Sequence, residues 1–205
     1  MIIAILTKIL FLIAVIDPLG SVPVYLEASK HFDDDHKRKI AIRAAFTAFI
    51  ILLFFIVAGQ LILTGMEITL DAFQISGGVI LFLFALSMIF GEGKPEAEKH
   101  LIKDYKHVTT FPVAIPSIAS PGAIMAVVLL TDNSTYNIID QAITTFLVFV
   151  VVMITMGILL AASKVQKGIG ENGITVISKI MGLILAAYAV QSVLTGVKDF
   201  FFVGN

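Results

Sequence analysis

Six stretches of this chain stay apolar for longer than a soluble core element requires: 2–28, 40–63, 69–90, 108–131, 138–162 and 173–197. The hydrocarbon layer of a bilayer is about 30 Å thick and an α-helix rises about 1.5 Å per residue, so about 20 mostly apolar residues cross it. Each stretch is long enough. Polar punctuation separates them: KHFDDDHKRK at 30–39, TGMEITLD at 64–71, GEGKPEAEKHLIKDYKH at 91–107, TDNSTYN at 131–137 and SKVQKGIGEN at 163–172. Transmembrane β-strands would alternate apolar and polar residues over about ten positions, and these continuous runs do not. Composition agrees, because 58% hydrophobic and 14% charged residues in a chain of 205 cannot clothe a soluble domain, where about a quarter are charged. The expected fold is all-α and integral to the membrane, with six transmembrane helices.

Charge placement sets the expected orientation. Lys30, Lys37, Arg38, Lys39, Lys94, Lys99, Lys103, Lys106, Lys164 and Lys167 put ten of the 14 Lys and Arg in the first, third and fifth connections, and the second and fourth hold none. The positive-inside rule then predicts cytoplasmic odd-numbered loops and both termini outside. A net charge of −1 gives no reason to expect a nucleic-acid partner. With no cysteine in the chain, disulfides, thiolate nucleophiles and Cys metal sites are excluded. The opening run lacks a basic leader and continues into DPLGSVP instead of a small-residue cleavage site, so it reads as a mature helix rather than a signal.

Two of the six runs share an interruption. Residues 17–23 read DPLGSVP with Pro18 and Pro23, and residues 116–122 read PSIASPG with Pro116 and Pro121. The third and sixth runs also correspond, ISGGVILFLFALSMI at 75–89 matching KIMGLILAAYAVQSV at 179–193 with Gly78 on Gly182. This divides the chain into a first three-helix repeat (1–92), a charged cytoplasmic linker (93–107) and a second three-helix repeat (108–205). An odd number of crossings per repeat inverts the second copy, the logic of many secondary transporters.

Proline within an apolar span removes an amide donor and clashes with the preceding turn, so the first and fourth helices are expected to be discontinuous. Exposed backbone groups are not tolerated against lipid, so the breaks must lie inside the bundle or along a polar cavity. Ser120-Pro121 reads as an N-cap followed by proline at the first helical position. Asp17-Pro18 can play the same part, or Ser21 can cap a helix starting at Val22, with Pro23 in its first turn. Gly20 and Gly122 permit close approach of backbone or ligand. Two helix N-termini near the membrane midplane would then offer bare amides and positive dipole ends to an anion. Asp17 costs about 2.5–3.5 kcal/mol at bilayer depth if isolated. Two readings of it stand together here: it binds a substrate ammonium or carries a proton, or it caps the half-helix. Ser21, Ser117 and Ser120 divide in the same way between capping and substrate contact.

Other polar residues have plainer readings. Gln60, Gln74, Thr144, Thr145, Tyr188 and Gln191 suit hydrogen bonds between helices. Lys8 is expected to snorkel outward and Arg43 inward, with Glu27 and Arg43 near enough to pair. Ala44 with Ala48, Gly157 with Ala161 and Gly182 with Ala186 suit close packing of helices. His31, His36, His100 and His107 fall in loops expected to be cytoplasmic, and no metal or cofactor is expected.

DPLGSVPVYLEAS (17–29) and AIPSIASPGAI (114–124), in this order within six apolar runs, resemble the two signature segments of the MarC family. QISGG (74–78) and IMGLILAAYAVQ (180–191) extend the resemblance over essentially the whole chain. That family includes the SnatA-type small neutral amino acid transporters. The resemblance implies a multi-pass plasma-membrane protein that moves small neutral amino acids such as glycine or alanine. It places the binding region near Asp17, Gly20, Ser21, Ser120, Pro121 and Gly122. Pro18, Pro23 and Ser117 join them through the break geometry. A coupling ion, proton or sodium, is compatible with the residues, and a nucleotide-binding P-loop motif is absent. The rivals are a channel or passive facilitator, a membrane regulatory protein without transport, and an intramembrane hydrolase. The last lacks a nucleophile with an activating base in the spans.

Overall fold

The computed structural model describes residues 2–90, 105–133 and 135–202, and every described element is helical. The elements are α1 (Ile2–Ile16), α2 (Ser21–Ser29), α3 (Asp34–Gly65), α4 (Leu70–Phe90) and α5 (Tyr105–Val108), which runs into a π-helical segment (Thr109–Ile118). Beyond it come α6 (Pro121–Leu130), α7 (Ile138–Leu160) and α8 (Ala162–Phe202). Five spans are long and apolar enough to cross a bilayer: Ile5–Ser29, Asp34–Gly65, Leu70–Phe90, Ile138–Leu160 and Asn172–Phe202. A sixth is bent by 57° between Tyr105–Ile118 and Pro121–Leu130. Most of the expected 93–107 linker lies outside the described residues.

Local chemistry sets the boundaries. Asp33 caps α3, its carboxylate accepting the His36 amide at 2.8 Å, and Asp34 and Asp35 follow in the positive first turn. That cap draws the polar DDHKRK into the helix, so α3 starts six residues before the apolar run expected at 40–63. The same amide, then the His36 ring, hold the Asp33 carboxyl below the usual carboxylate range. Asn137 caps α7 by accepting the amides of Ile139 and Asp140, both at 2.9 Å. The 163–172 connection is helical instead of open, because α8 begins at Ala162 and is interrupted only where Gly170 turns to φ 76°.

Large side chains such as Leu12, Ile16, Leu52 and Leu81 fill the core, and small ones line it where α3 meets α7. Ala41, Ala44, Ala45 and Ala48 on α3 are wholly buried, as are Val148, Val151, Val152 and Thr155 on α7, and the two helices pack together with Phe49 edge-on to Phe149 at 5.4 Å. Phe46, Val57, Leu61 and Phe146 are more than 60% exposed. An apolar surface of this extent suits hydrocarbon, where such side chains lose nothing by exposure.

Among the described residues the most extensive helix contact is that of α4 with α8, which run antiparallel. A Cβ on Gly78 would stand 2.7 Å from Val193 Cγ2 and 3.0 Å from the Ala189 carbonyl oxygen. One on Gly182 would stand 3.0 Å from the Ala85 carbonyl oxygen and 3.1 Å from Ile89 Cγ1. Gly157, by contrast, has nothing within 4 Å of that position and is exposed, so its expected packing role with Ala161 is not what it does. It borders a hollow of about 340 Å³ lined by Leu160, Ala161, Ser163 and Lys164.

Gly78→Leu or Gly182→Leu should therefore force α4 and α8 apart and lower stability by about 1–3 kcal/mol. Gly157→Ala should be neutral or add up to about 1 kcal/mol of helix propensity. Thermal unfolding in detergent checks the contrast, and equal effects at the three positions would contradict it.

Candidate functional site

The first break begins at Asp17, whose φ is 50°. This left-handed region is one that Asp and Asn enter more readily than other non-glycine residues. Its amide still donates to Ile13 O at 2.9 Å, closing α1. Its carboxylate turns back along the chain, Oδ1 accepting the Gly20 amide at 2.9 Å. Its carbonyl accepts the Ser21 amide at 3.1 Å and the Ser21 hydroxyl at 3.0 Å. A Cβ at Gly20 would lie 1.8 Å from Asp17 Oδ2, so glycine is there to make room for the carboxylate. Of the two readings of this start, the one with Ser21 capping a helix from Val22 does not hold: α2 begins at Ser21, whose hydroxyl bonds backward. Asp17 takes the capping part.

The second break is longer. Phe111 (φ −127°, ψ 126°) and Ile115 (φ −127°, ψ 131°) precede Pro112 and Pro116 and are extended, as a residue before proline is driven to be. The chain around Pro116 makes a wide turn, with the Ala119 amide reaching Ala114 O at 2.8 Å. Ser120 then caps α6 as expected, its hydroxyl oxygen accepting the Ala123 amide at 3.0 Å with Pro121 in the first turn.

The two breaks meet. Ser120 Oγ donates to Val15 O at 3.4 Å, a carbonyl that α1 leaves free where it stops. Ser117 Oγ donates to Ser21 Oγ at 3.0 Å, and Ser21 Oγ lies 3.4 Å from Ser117 O. Each break therefore supplies hydroxyls to the other. Asp17, Ser21, Ser117 and Ser120 are 4%, 0%, 1% and 0% exposed, so the contact is sealed in this structure. Gly122 is packed by Leu81, whose Cδ1 would be 2.9 Å from an added Cβ. Pro18 is buried at the first break, Pro23 half-buried in the first turn of α2, and Pro121 exposed beside the second break.

Several of the amides expected to be bare have partners within the breaks. The donors of Gly20, Ser21, Val22 and Ala123 are all occupied by Asp17, Leu19 or Ser120. The anion at the start of α2 is the protein's own carboxylate. Among the described residues no Lys, Arg or His nitrogen lies within 4.0 Å of it. None of the break residues lines the 340 Å³ hollow.

Three features escape a reading by motif. Pro112 widens the second break, and its signal was its spacing of four from Pro116. The Val15 carbonyl is recruited by proximity, which no local pattern displays. Lys8 does more than reach outward: its ammonium donates to Thr144 Oγ1 at 2.9 Å and stands 4.5 Å from the Tyr136 ring. Arg43 donates to the Tyr105 hydroxyl at 3.2 Å, and Glu27 pairs with Lys30, so the expected Glu27–Arg43 pair does not form. Thr145 and Gln191 bond within their own helices, whereas Gln60 accepts the Asn133 amide at 2.7 Å.

An all-helical, multi-pass membrane protein whose two interrupted helices share one buried polar contact is the class that this geometry defines. The chain belongs to the MarC family of integral membrane proteins, matched over residues 2–201. It is 32% identical over 199 residues to a UPF0056 membrane protein of Buchnera aphidicola subsp. Baizongia pistaciae, covering 97% of this chain and 98% of that one. It is 34% identical over 197 residues to a UPF0056 membrane protein of Aquifex aeolicus, covering 93% and 90%. With the UPF0056 inner membrane protein YhgN of Escherichia coli K12 it shares 31% over 204 residues, covering 95% and 96%. No solved structure matches the chain.

Asp17→Asn should keep the fold, since Asn accepts the left-handed φ and can accept the Gly20 amide. Asp17→Ala and Ser120→Ala should each lose about 1 kcal/mol or more through loss of a cap, with added backbone strain at position 17. Thermal unfolding decides this, and an Asn variant as unstable as the Ala variant would contradict it.

Proposed function

We propose that this protein is a secondary transporter of the inner (plasma) membrane that moves small neutral amino acids such as glycine and alanine by alternating access. The observation that carries the reading is the buried Asp17 carboxylate, without a basic side chain within 4.0 Å among the described residues, where two broken helices meet. An uncompensated acid at that depth is costly. An ammonium group entering between the breaks would neutralise it, while the Ser117 and Ser120 hydroxyls and freed carbonyls take the remaining polar atoms of a small zwitterion. A coupling proton or sodium ion would be drawn to the same charge. The sealed contact is then the closed state, which has to be uncovered to admit substrate.

An inverted pair of repeats is part of the proposal. The α4–α8 contact supports it, because Gly78 rests on Ala189 and Val193 while Gly182 rests on Ala85 and Ile89. Each residue and its counterpart are 104 positions apart (78 and 182, 85 and 189, 89 and 193), which is how a two-fold contact reads when one chain supplies both sides. Location in the inner membrane is supported by the name of YhgN, and external termini by the lysine placement already described.

Purified protein in liposomes should accumulate labelled alanine or glycine saturably and show counterflow, which separates a carrier from a passive pore. Asp17→Asn should raise the half-saturating concentration about tenfold or more, in line with loss of a charged hydrogen bond. Uptake no greater than in protein-free liposomes would refute the assignment.

A further inference from the structure

We propose that access alternates by movement of α4 and α8 as one body against the bundle that carries the breaks, and not by movement of one three-helix repeat against the other. The inference rests on the transport reading and concerns which parts move.

Contact between α4 and α8 is made at the level of the backbone. Added Cβ atoms on Gly78, Gly182 and Gly196 would each lie 3.0 Å from a carbonyl oxygen of the facing helix, those of Ala189, Ala85 and Asp71. These contacts run along α4 from Asp71 to Ile89. Val193 Cγ2, Ile89 Cγ1 and Ile75 Cγ1 close on the same three points at 2.7, 3.1 and 2.8 Å, so side chain and backbone interlock there together. Moving the first repeat against the second would have to shear this interface, since α4 belongs to one and α8 to the other.

Contact between α4 and the broken helix is of another kind. Gly77 receives the Met125 side chain of α6, and Gly122 receives the Leu81 side chain of α4. Methionine has three rotatable bonds and adapts to shifted neighbours at small cost. The face of α4 that carries Gly77 and Leu81 can therefore slide over α6 while the face that carries Gly78 and Ala85 stays on α8.

Both members of the pair are reached through unusual backbone. Glu67, just before α4, has φ 57°, and Gly170, just before the spanning part of α8, has φ 76°. The 104-residue correspondence that relates the glycines relates Glu67 to position 171, one residue from Gly170. Gly65, Gly168 and Gly170 have nothing within 4 Å of an added Cβ, so no side chain crowds these positions, and the Glu67 turn is held by its own backbone, the amides of Glu67 and Ile68 donating to Thr64 O and Leu63 O. Paired, uncrowded turns at the start of two locked helices are where hinges absorb a change of angle.

The chain has no cysteine, so spin labels attach only where cysteine is introduced. Leu83 on α4, Ile184 on α8 and Phe146 on α7 are all more than half exposed and tolerate labels. In the full chain in lipid nanodiscs, Leu83→Cys/Ile184→Cys should give one narrow distance, unchanged by saturating alanine. Leu83→Cys/Phe146→Cys should give a distance that shifts by several ångströms or splits in two. A Leu83–Ile184 distance that moves as much, or two distances that both stay fixed while the protein takes up alanine, would overturn the proposal. Absence of glycine and alanine uptake by the same variants would instead refute the transport reading beneath it.

Discussion

Hydrocarbon offers no hydrogen bonds, so a helix that breaks within the membrane must find protein partners for every amide and carbonyl it releases. Much else in this structure answers to that requirement. α1 stops at Ile16 and the 109–118 segment stops at Ile118, and two carbonyls set free there are met across the interface, Val15 O by the Ser120 hydroxyl and Ser117 O by the Ser21 hydroxyl. Neither break would be tolerable facing lipid by itself. Their meeting explains why both lie among fully buried residues while Phe46 and Leu61 of α3 face outward.

Asp17 has two consequences from one geometry. Its left-handed backbone and its bond to the Gly20 amide make it the cap of the first break, and Gly20 is glycine because the carboxylate occupies the space of its Cβ. The carboxylate is nonetheless buried without a nearby basic group among the described residues. Capping and ligand recognition are compatible because one carboxylate has two oxygens: Oδ1 holds the turn, and Oδ2 is the atom a cationic group would approach.

The helices were legible because their signals are local and long. Runs such as 138–162 are too apolar for water, and Ser120-Pro121 is a start signal contained in two adjacent residues. Errors at the ends have local causes too, the Asp33 cap drawing α3 into the polar connection and SKVQKGI continuing as helix until Gly170 turns. The site was half legible. Prolines announced that Asp17, Ser21, Ser117 and Ser120 stand at breaks, but their mutual contacts depend on how α1 and α6 cross. Lys8 on Thr144 is a contact of the same long-range kind, joining positions 136 residues apart.

The central claim is that the buried contact between the breaks opens to a small solute. Ser117→Cys, close in size to the native side chain and placed in a chain free of other thiols, tests it most directly through its reaction with a membrane-impermeant thiol reagent in oriented vesicles. The account predicts slow labelling that alanine retards, reached from each face of the membrane as the protein alternates. A thiol that never reacts from either face, or reacts at a rate indifferent to alanine, would contradict it.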